Sequence, residues 1–173
     1  EAELPSIFES ISRIPSDFFQ YKVCSTFDSS PEIGNIGLAS EIALRYFPSD
    51  CIPLAIGAPF LNRFVAFGNL FARVGQETFR LDRHPTMSRH PVTPMRESDL
   101  RLHLALQTKL DVALMDMHAL EGDYGPPAAI YQRLTGAHKG FILFDTLNTD
   151  HLRSIGALLT EHKRDGVQFM VGS

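Results

Sequence analysis

The sequence predicts an α/β fold: a mostly parallel, doubly wound sheet carrying a β-hairpin insertion. Short apolar runs that stop at Ser, Asp or Gly alternate with stretches of helical spacing, the pattern of strands buried under helices. One Gly-Asn pair between two apolar runs marks a hairpin. The chain has 173 residues, 44% hydrophobic and 21% charged, which suits one globular domain able to bury a core.

The elements follow in order. Phe18–Cys24 (FFQYKVC) is apolar and aromatic before it breaks into Ser, Thr and Asp, and reads as a buried strand. Gly37–Phe47 has Leu38, Ile42 and Tyr46 near helical spacing and ends before Pro48, so it reads as a helix. A second strand over Cys51–Ile56 is cut off by Gly57-Ala58-Pro59. Phe64–Arg73 is the hairpin, with Gly68-Asn69 at its turn. The proline-rich stretch Arg80–Met95 (RLDRHPTMSRHPVTPM) reads as a long exposed loop. Ser98–Gln107 opens a helix with Leu100, Leu104 and Gln107 on one side, and Val112–Met117 is a strand. Pro127–Leu134 is a helix, Gly140–Phe144 a strand ending at Asp145, and Asp150–His162 a helix striped by Leu152, Ile155, Leu158 and Leu159. Asp150 reads as a cap for that helix. Val167–Val171 is the last strand.

Composition excludes several functions. A net charge of −4 leaves no footprint for nucleic acid or an anionic membrane surface. No apolar stretch approaches the ~20 residues that span a bilayer, and the acidic, mixed N-terminus EAELPSIFESISRIP is no secretory signal. The two cysteines, Cys24 and Cys51, lie in strand-like runs and read as reduced thiols of a cytoplasmic protein.

In a doubly wound sheet, ligands bind at the carboxyl ends of the strands. That rule selects Ser25–Gly37, Gly57–Arg63 and Met117–Asp123. The segment Lys22–Gly37 (KVCSTFDSSPEIGNIG) combines a cation at Lys22 and hydroxyls at Ser25, Thr26, Ser29 and Ser30. Asp28 adds a carboxylate that accepts from a ligand hydroxyl, and Gly37 opens a helix whose first amides favour an anion. These groups suit a hydroxylated carboxylate. The same residues equally suit a helix entry in which Asp28 and Ser29 only turn and cap the chain. Arg63, after Gly57-Ala58-Pro59-Phe60-Leu61-Asn62, could grip a carboxylate or phosphate in a bidentate manner. His84 and His90, six apart with Asp82 near, fix no metal geometry across two prolines. There is no Walker loop, G-x-G-x-x-G or G-x-S-x-G.

Three strings carry a resemblance: YKVCSTFDSSPEIGNIG (Tyr21–Gly37), the block around Gly57–Gly68, and DRHPTMSRHPVTPMRESDLRLHLALQT (Asp82–Thr108). With the closing ILFDTLNTDHLRSIG and FMVGS, they resemble the N-terminal domain of the four-carbon acid sugar kinases. Members of that family once carried the label of Hrp-dependent type III effector-like proteins. The resemblance implies a domain that binds a sugar acid such as threonate or erythronate, while a C-terminal domain binds ATP and Mg²⁺. The Lys-x-x-Ser-Thr segment matches the family's substrate contacts at Lys22, Val23, Cys24 and Ser25. Many members have Asp where this chain has Cys24, which implies an altered substrate choice.

The candidate substrate-contacting set is therefore Lys22, Val23, Cys24, Ser25, Thr26, Asp28, Asn35, Gly37 and Arg63. The family's leading Asp-Asp-x-Thr-Gly-Ala segment is absent from the chain, as is a nucleotide domain after Ser173. The resemblance thus implies a partial domain over residues 1–173, with no catalytic residue, no cofactor and no metal of its own. ATP and Mg²⁺ belong to a full-length parent, and this chain alone is expected to be inactive. An uncovered sheet edge implies a homo-oligomer as one outcome. The expected partner is a small sugar acid, with neither nucleic acid nor membrane. Two other readings stand beside the kinase: a non-catalytic, effector-like interaction module, and a hydroxy-acid- or phosphosugar-binding domain of another enzyme class.

Overall fold

The computed structural model describes residues 2–163 and 165–173. Five parallel strands form the main sheet: β1 (Phe18–Lys22), β2 (Cys51–Ala55), β6 (Asp111–Met115), β7 (Gly140–Phe144) and β8 (Gln168–Gly172). Their order across the sheet is β1-β8-β2-β7-β6. A second, antiparallel sheet is built in chain order from β3 (Arg63–Ala66), β4 (Asn69–Val74) and β5 (Glu77–Arg80). The expected α/β architecture and hairpin insertion are both present.

Alternation along each strand divides the core in two, because successive side chains leave opposite faces of a strand. On β7, every residue of which is buried, Phe141 and Leu143 enter one cluster while Ile142 and Phe144 enter the other. The first cluster also receives the buried faces of α1 (Leu4–Ser12), α2 (Ile36–Ala43) and α3 (Leu100–Ala105), together with Val65, Leu70 and Ala72 of the small sheet. The second is covered by α4 (Met117–Glu121), α5 (Pro127–Ala137) and α6 (Thr149–Glu161). Pro53, which lacks a backbone N–H, stands inside β2, and pairing with β8 covers only Leu54 and Ala55 beyond it. No helix among the described residues is long and apolar enough to cross a membrane.

Several elements differ from the sequence reading. The N-terminal segment, read only as acidic and mixed, contains α1, whose Phe8 is buried among Phe19, Tyr21, Phe47 and Phe169 at ring-centroid distances of 6.0–6.3 Å. Strand β1 stops at Lys22, so Cys24 is not a strand residue and is exposed, whereas Cys51 is buried. The hairpin turn is Phe67-Gly68, not Gly68-Asn69: Ala66 pairs with Asn69, and both turn residues have positive φ, 50° and 77°. That register turns Val65, Leu70 and Ala72 to the core, and a slip of one residue would expose them. A third strand, β5, follows a second turn at Gly75-Gln76 and was not expected.

The Arg80–Met95 stretch is not an exposed loop. It contains two short 3-10 turns, over Leu81–Arg83 and Met87–Arg89, and buries Leu81, His84, Met87, Thr93 and Met95. Its prolines prevent regular hydrogen bonding, but His84 Nδ1 accepts the Thr86 and Met87 N–H groups and His90 Nδ1 accepts that of Thr93. The candidate edge segment Met117–Asp123 is largely helix α4. The cap of α6 is Asn148, which accepts from His151 N at 2.9 Å, and not Asp150, which lies exposed in the first turn against Arg153.

One side chain joins the two sheets. Asp145, fully buried just beyond β7, accepts the Phe67 N–H at 2.7 Å, the Gly68 N–H at 2.9 Å and the Met117 N–H at 3.1 Å. Burial pushes its carboxyl above the ordinary aspartate range, against the opposing pull of those three N–H groups.

Asp145→Ala leaves three backbone donors without an acceptor and should lower unfolding free energy by about 2–4 kcal/mol. Asp145→Asn, which restores one acceptor, should cost less; urea denaturation of the two variants measures both. Carbon-13 carboxyl titration should place Asp145 above the ordinary aspartate value. It should place Asp111, held down by its hydrogen bond to His138, below that value. The sign of linkage follows: the Asp145 contribution to stability is full below the unfolded-state pKa and is lost as pH rises through the raised one.

Candidate binding site at the carboxyl edge of the sheet

The chain leaving β1 is fastened at once to its neighbours. Val23 N–H donates to Gly172 O at 2.8 Å, while the Val23 side chain is buried in the core, so this residue offers the site only backbone. Lys22 is exposed at the strand end and makes no ion pair among the described residues. Cys24 and Thr26 meet at 3.0 Å between sulfur and hydroxyl, Ser25 is half-buried, and Phe27 N–H closes a turn onto Cys24 O at 2.9 Å. Phe27 holds a φ of 55° with its ring buried, a strained geometry for an aromatic residue. The packing of that ring against His103 accompanies it.

A polar network anchors the rest of the loop. Ser29 Oγ donates to Phe27 O at 3.0 Å and accepts from Gln107 Nε2 at 2.9 Å. His103 Nε2 lies 3.0 Å from the same hydroxyl, whose proton is already given to Phe27, so the ring donates. Burial lowers the His103 pKa, which keeps the ring neutral. Gln107 Oε1 in turn accepts the Ile36 N–H at 2.8 Å and approaches the Gly37 N–H at 3.4 Å. Asn35 caps α2 by accepting the Leu38 N–H at 2.6 Å and donates to Pro31 O at 3.0 Å.

The amides read in the sequence as an anion cradle at Gly37 are thus taken by side chains of this chain. Gly37 lies against Thr108, whose Cβ would stand 2.8 Å from an added methyl group, so the glycine serves close packing. Asn35 and Gly37 have structural partners, while Lys22, Cys24, Ser25 and Thr26 border the edge.

Next along the edge is Ser173, whose N–H donates to Ala55 O at 3.2 Å and whose hydroxyl donates to Ile56 O at 2.8 Å. Then comes Gly57, where an added Cβ would fall 1.6 Å from Thr146 Oγ1 and 2.9 Å from Thr146 O. Any side chain at 57 would push the Thr146 segment off the edge. Arg63 opens β3 beside Ala58 at the end of the small sheet. Two residues on, Val65 pairs with Thr146 through N–H···O bonds of 3.2 and 2.9 Å. Loop 22–28, Ser173, Gly57, Thr146 and Arg63 therefore lie in sequence along one carboxyl edge.

Three polar atoms in these segments are buried with no hydrogen-bond partner among the described residues, Asp28 Oδ1, Arg63 Nε and Thr146 Oγ1, as is His84 Nε2 of the 80–95 stretch. Each such group costs about 1–3 kcal/mol relative to a paired one. Ser173 and Thr146 were not singled out in the sequence, and His84 was weighed only as a metal ligand. The rule of strand carboxyl ends applied to the strand ending at Asp145 would have found Thr146; no local signal marks the other two. A metal-capable group, His118, Glu121 and Asp123, has its ligand atoms within 4.8 Å of one another. Its members are already paired, His118 with Asp123 at 2.7 Å and Glu121 with the buried His151 at 2.9 Å.

Gln107→Leu should free the Ile36 N–H and Ser29 together, lowering stability by about 1–3 kcal/mol. Amide hydrogen exchange at Ile36 and Phe27 should accelerate by at least as much as the global loss of stability predicts.

The description "Sugar-binding N-terminal domain" belongs to a family profile that matches residues 1–173. A 3-oxo-isoapionate kinase of Paraburkholderia graminis is 48% identical over 165 residues, covering 95% of this chain and 35% of its own. A 3-oxo-tetronate kinase of Methylobacterium radiotolerans is 33% identical over 144 residues, covering 83% and 32%. The chain thus spans about a third of the length of these relatives. In fold it is similar to a solved protein of Haemophilus influenzae at a TM-score of 0.82 and 22% identity, covering 99% of this chain and 39% of that one. A Bordetella bronchiseptica protein, solved as a domain-swapped dimer with bound citrate, aligns at a TM-score of 0.69 and 21% identity, covering 99% and 38%. With the α/β fold, the polar carboxyl edge and a family match over its full length, this chain belongs to the sugar-binding N-terminal domain family.

Proposed function

We propose that this chain is the acceptor-binding portion of an ATP-dependent kinase that phosphorylates a small hydroxylated acid of the threonate, erythronate or 3-oxo-tetronate type. One observation carries the reading. The cation of Lys22, the hydroxyls of Ser25, Thr26 and Ser173, and the guanidinium of Arg63 border a single sheet edge, where parallel α/β sheets take their ligands. The names of relatives, 3-oxo-isoapionate kinase and 3-oxo-tetronate kinase, support the substrate class.

Phosphoryl transfer is mainly a matter of positioning an acceptor hydroxyl against nucleotide phosphates and neutralising charge. In this reading the chain supplies the first half. Lys22 and Ser25 touch the acceptor, Thr26 is turned toward Cys24, and the Asp28 carboxylate accepts from a substrate hydroxyl. Thr26 and Asp28 narrow the site from the side of the loop, and the backbone of Val23 and Cys24 forms its floor. ATP and Mg²⁺ belong to the remainder of the full-length protein, where they supply the phosphoryl group and its charge compensation.

Thermal shift and calorimetry on this chain should show binding of threonate, erythronate or 3-oxo-tetronate and none of ATP. A response to none of the acids would favour a non-catalytic interaction module. In the full-length protein, Lys22→Ala should weaken acceptor binding about 10- to 100-fold, the worth of one charge-assisted contact. An unchanged acceptor affinity would sink the assignment.

A further inference from the structure

Beneath the small antiparallel sheet lies a set of donors that the proposed function leaves unused. Arg63, Ala72 and Phe79 stand directly opposite one another across β3, β4 and β5 and so share one face of that sheet. Ala72 on this face is fully buried, so the face is the one turned toward the main domain. His84, only 5% exposed, packs its ring against Phe79 at 6.2 Å. Thr146, fully buried, is paired to Val65 on the same strand as Arg63 and is pressed against Gly57.

The hydrogen-bonding roles of the three are fixed by their surroundings. His84 Nδ1 accepts two backbone N–H groups at 3.2 and 3.1 Å, so its proton resides on Nε2, which can only donate. Arg63 uses Nη1 on Leu61 O at 3.0 Å and Asn62 O at 3.2 Å. That leaves the Nε edge of the guanidinium, the side-on geometry that matches a carboxylate. No carboxylate lies within ion-pair distance of Arg63 among the described residues. Arg63 Nε, His84 Nε2 and Thr146 Oγ1 all lack a partner among the described residues. Burial, followed by the charge of Arg63, lowers the His84 pKa, and a neutral donor beside a cation leaves the net charge of the set at one. Buried donors without a partner call for an acceptor, and a bound carboxylate is one that would satisfy them.

We infer that Arg63, His84 and Thr146 form a clasp for the carboxylate of the acceptor, with Lys22 left to the hydroxyl-bearing end of the molecule. This inference rests on the sugar-acid reading of the edge and deepens it: it assigns the acid group and adds His84 and Thr146 to the recognition set. The three atoms are shielded from solvent, whereas Arg63 as a whole is half-exposed and is tied by hydrogen bonds to two carbonyls of the 59–62 segment. A carboxylate gains the clasp by displacing that segment, and its two oxygens then take the donors that the fold leaves unpaired.

Calorimetry on the wild-type chain, Arg63→Met and Thr146→Val tests this with threonate, with threitol as its uncharged polyol counterpart, and with glycolate as a minimal carboxylate. The wild type should prefer threonate to threitol, and Arg63→Met should erase that preference by losing at least tenfold in threonate affinity while threitol changes little. Thr146→Val, which removes an unpaired buried hydroxyl without changing shape, should melt no lower than wild type yet bind threonate several-fold more weakly. A merely structural role for Thr146 would move melting and leave affinity alone. Threonate binding unchanged in both variants, or threonate and threitol lost equally in Arg63→Met, would overturn the clasp and leave the sugar-acid reading in place. Glycolate bound by the wild type and lost in Arg63→Met, with threonate never bound, would keep the clasp and overturn the four-carbon substrate. No binding of either carboxylate would overturn both.

Discussion

The carboxylate of Asp145 is the point on which the relation between the two sheets depends. It stands at the carboxyl end of a strand whose every residue is buried, and it takes three backbone N–H groups from two other parts of the chain. Two come from the hairpin turn, where Phe67 adopts a positive φ that an aromatic residue rarely adopts. The third opens helix α4. Burial raises the pKa of this carboxyl against the pull of the three N–H groups. Its effect is positional: it selects the turn residues and thereby the hairpin register. With the register set, Val65 faces the core and pairs with Thr146, and Arg63 is brought beside Ala58 at the edge of the main sheet.

A second set of buried polar groups does for the loop after β1 what Asp145 does for the hairpin. Ser29, His103 and Gln107 connect the loop to α3, and Gln107 spends its oxygen on the first amides of α2. A free helix N-terminus would attract an anion, but this one is satisfied from within. The polar character of the segment is therefore divided. Ser29, Asn35 and Gly37 hold the structure together, while Lys22, Cys24 and Ser25 remain at the edge between the buried side chains of Val23, Thr26 and Phe27. The division also explains why a run of Ser, Asp, Asn and Gly reads equally well as a binding loop and as a capped helix entry: it is one followed by the other.

Relatives that share the fold extend well beyond this chain, which covers about a third of their length. In the proposed reading, an acceptor site at the carboxyl edge of the sheet leaves the buried core undisturbed.

The sequence by itself determined the α/β class, the location of most strands and helices, and the choice of the loop after β1 as a candidate binding segment. Those features are local: apolar runs of strand length, 3.6-residue stripes and breaks at Gly and Pro are written in neighbouring residues. Gly140–Phe144 was legible to the residue because the four side chains from Phe141 to Phe144 are apolar and the run is bounded by Gly140 and Asp145. The turn at Phe67-Gly68, the burial of the Arg80–Met95 stretch and the cap at Asn148 were not, since each is decided by a partner distant in the chain or by competition between adjacent polar residues. Only the tertiary structure could separate Asn35 and Gly37, which have partners within the fold, from Lys22 and Ser25, which stay at the edge. Only it could pair Thr146 with the strand that carries Arg63, pack His84 on Phe79 of the same small sheet and leave their donors unpaired, because unpaired donors are a property of what surrounds a residue and not of the residue itself.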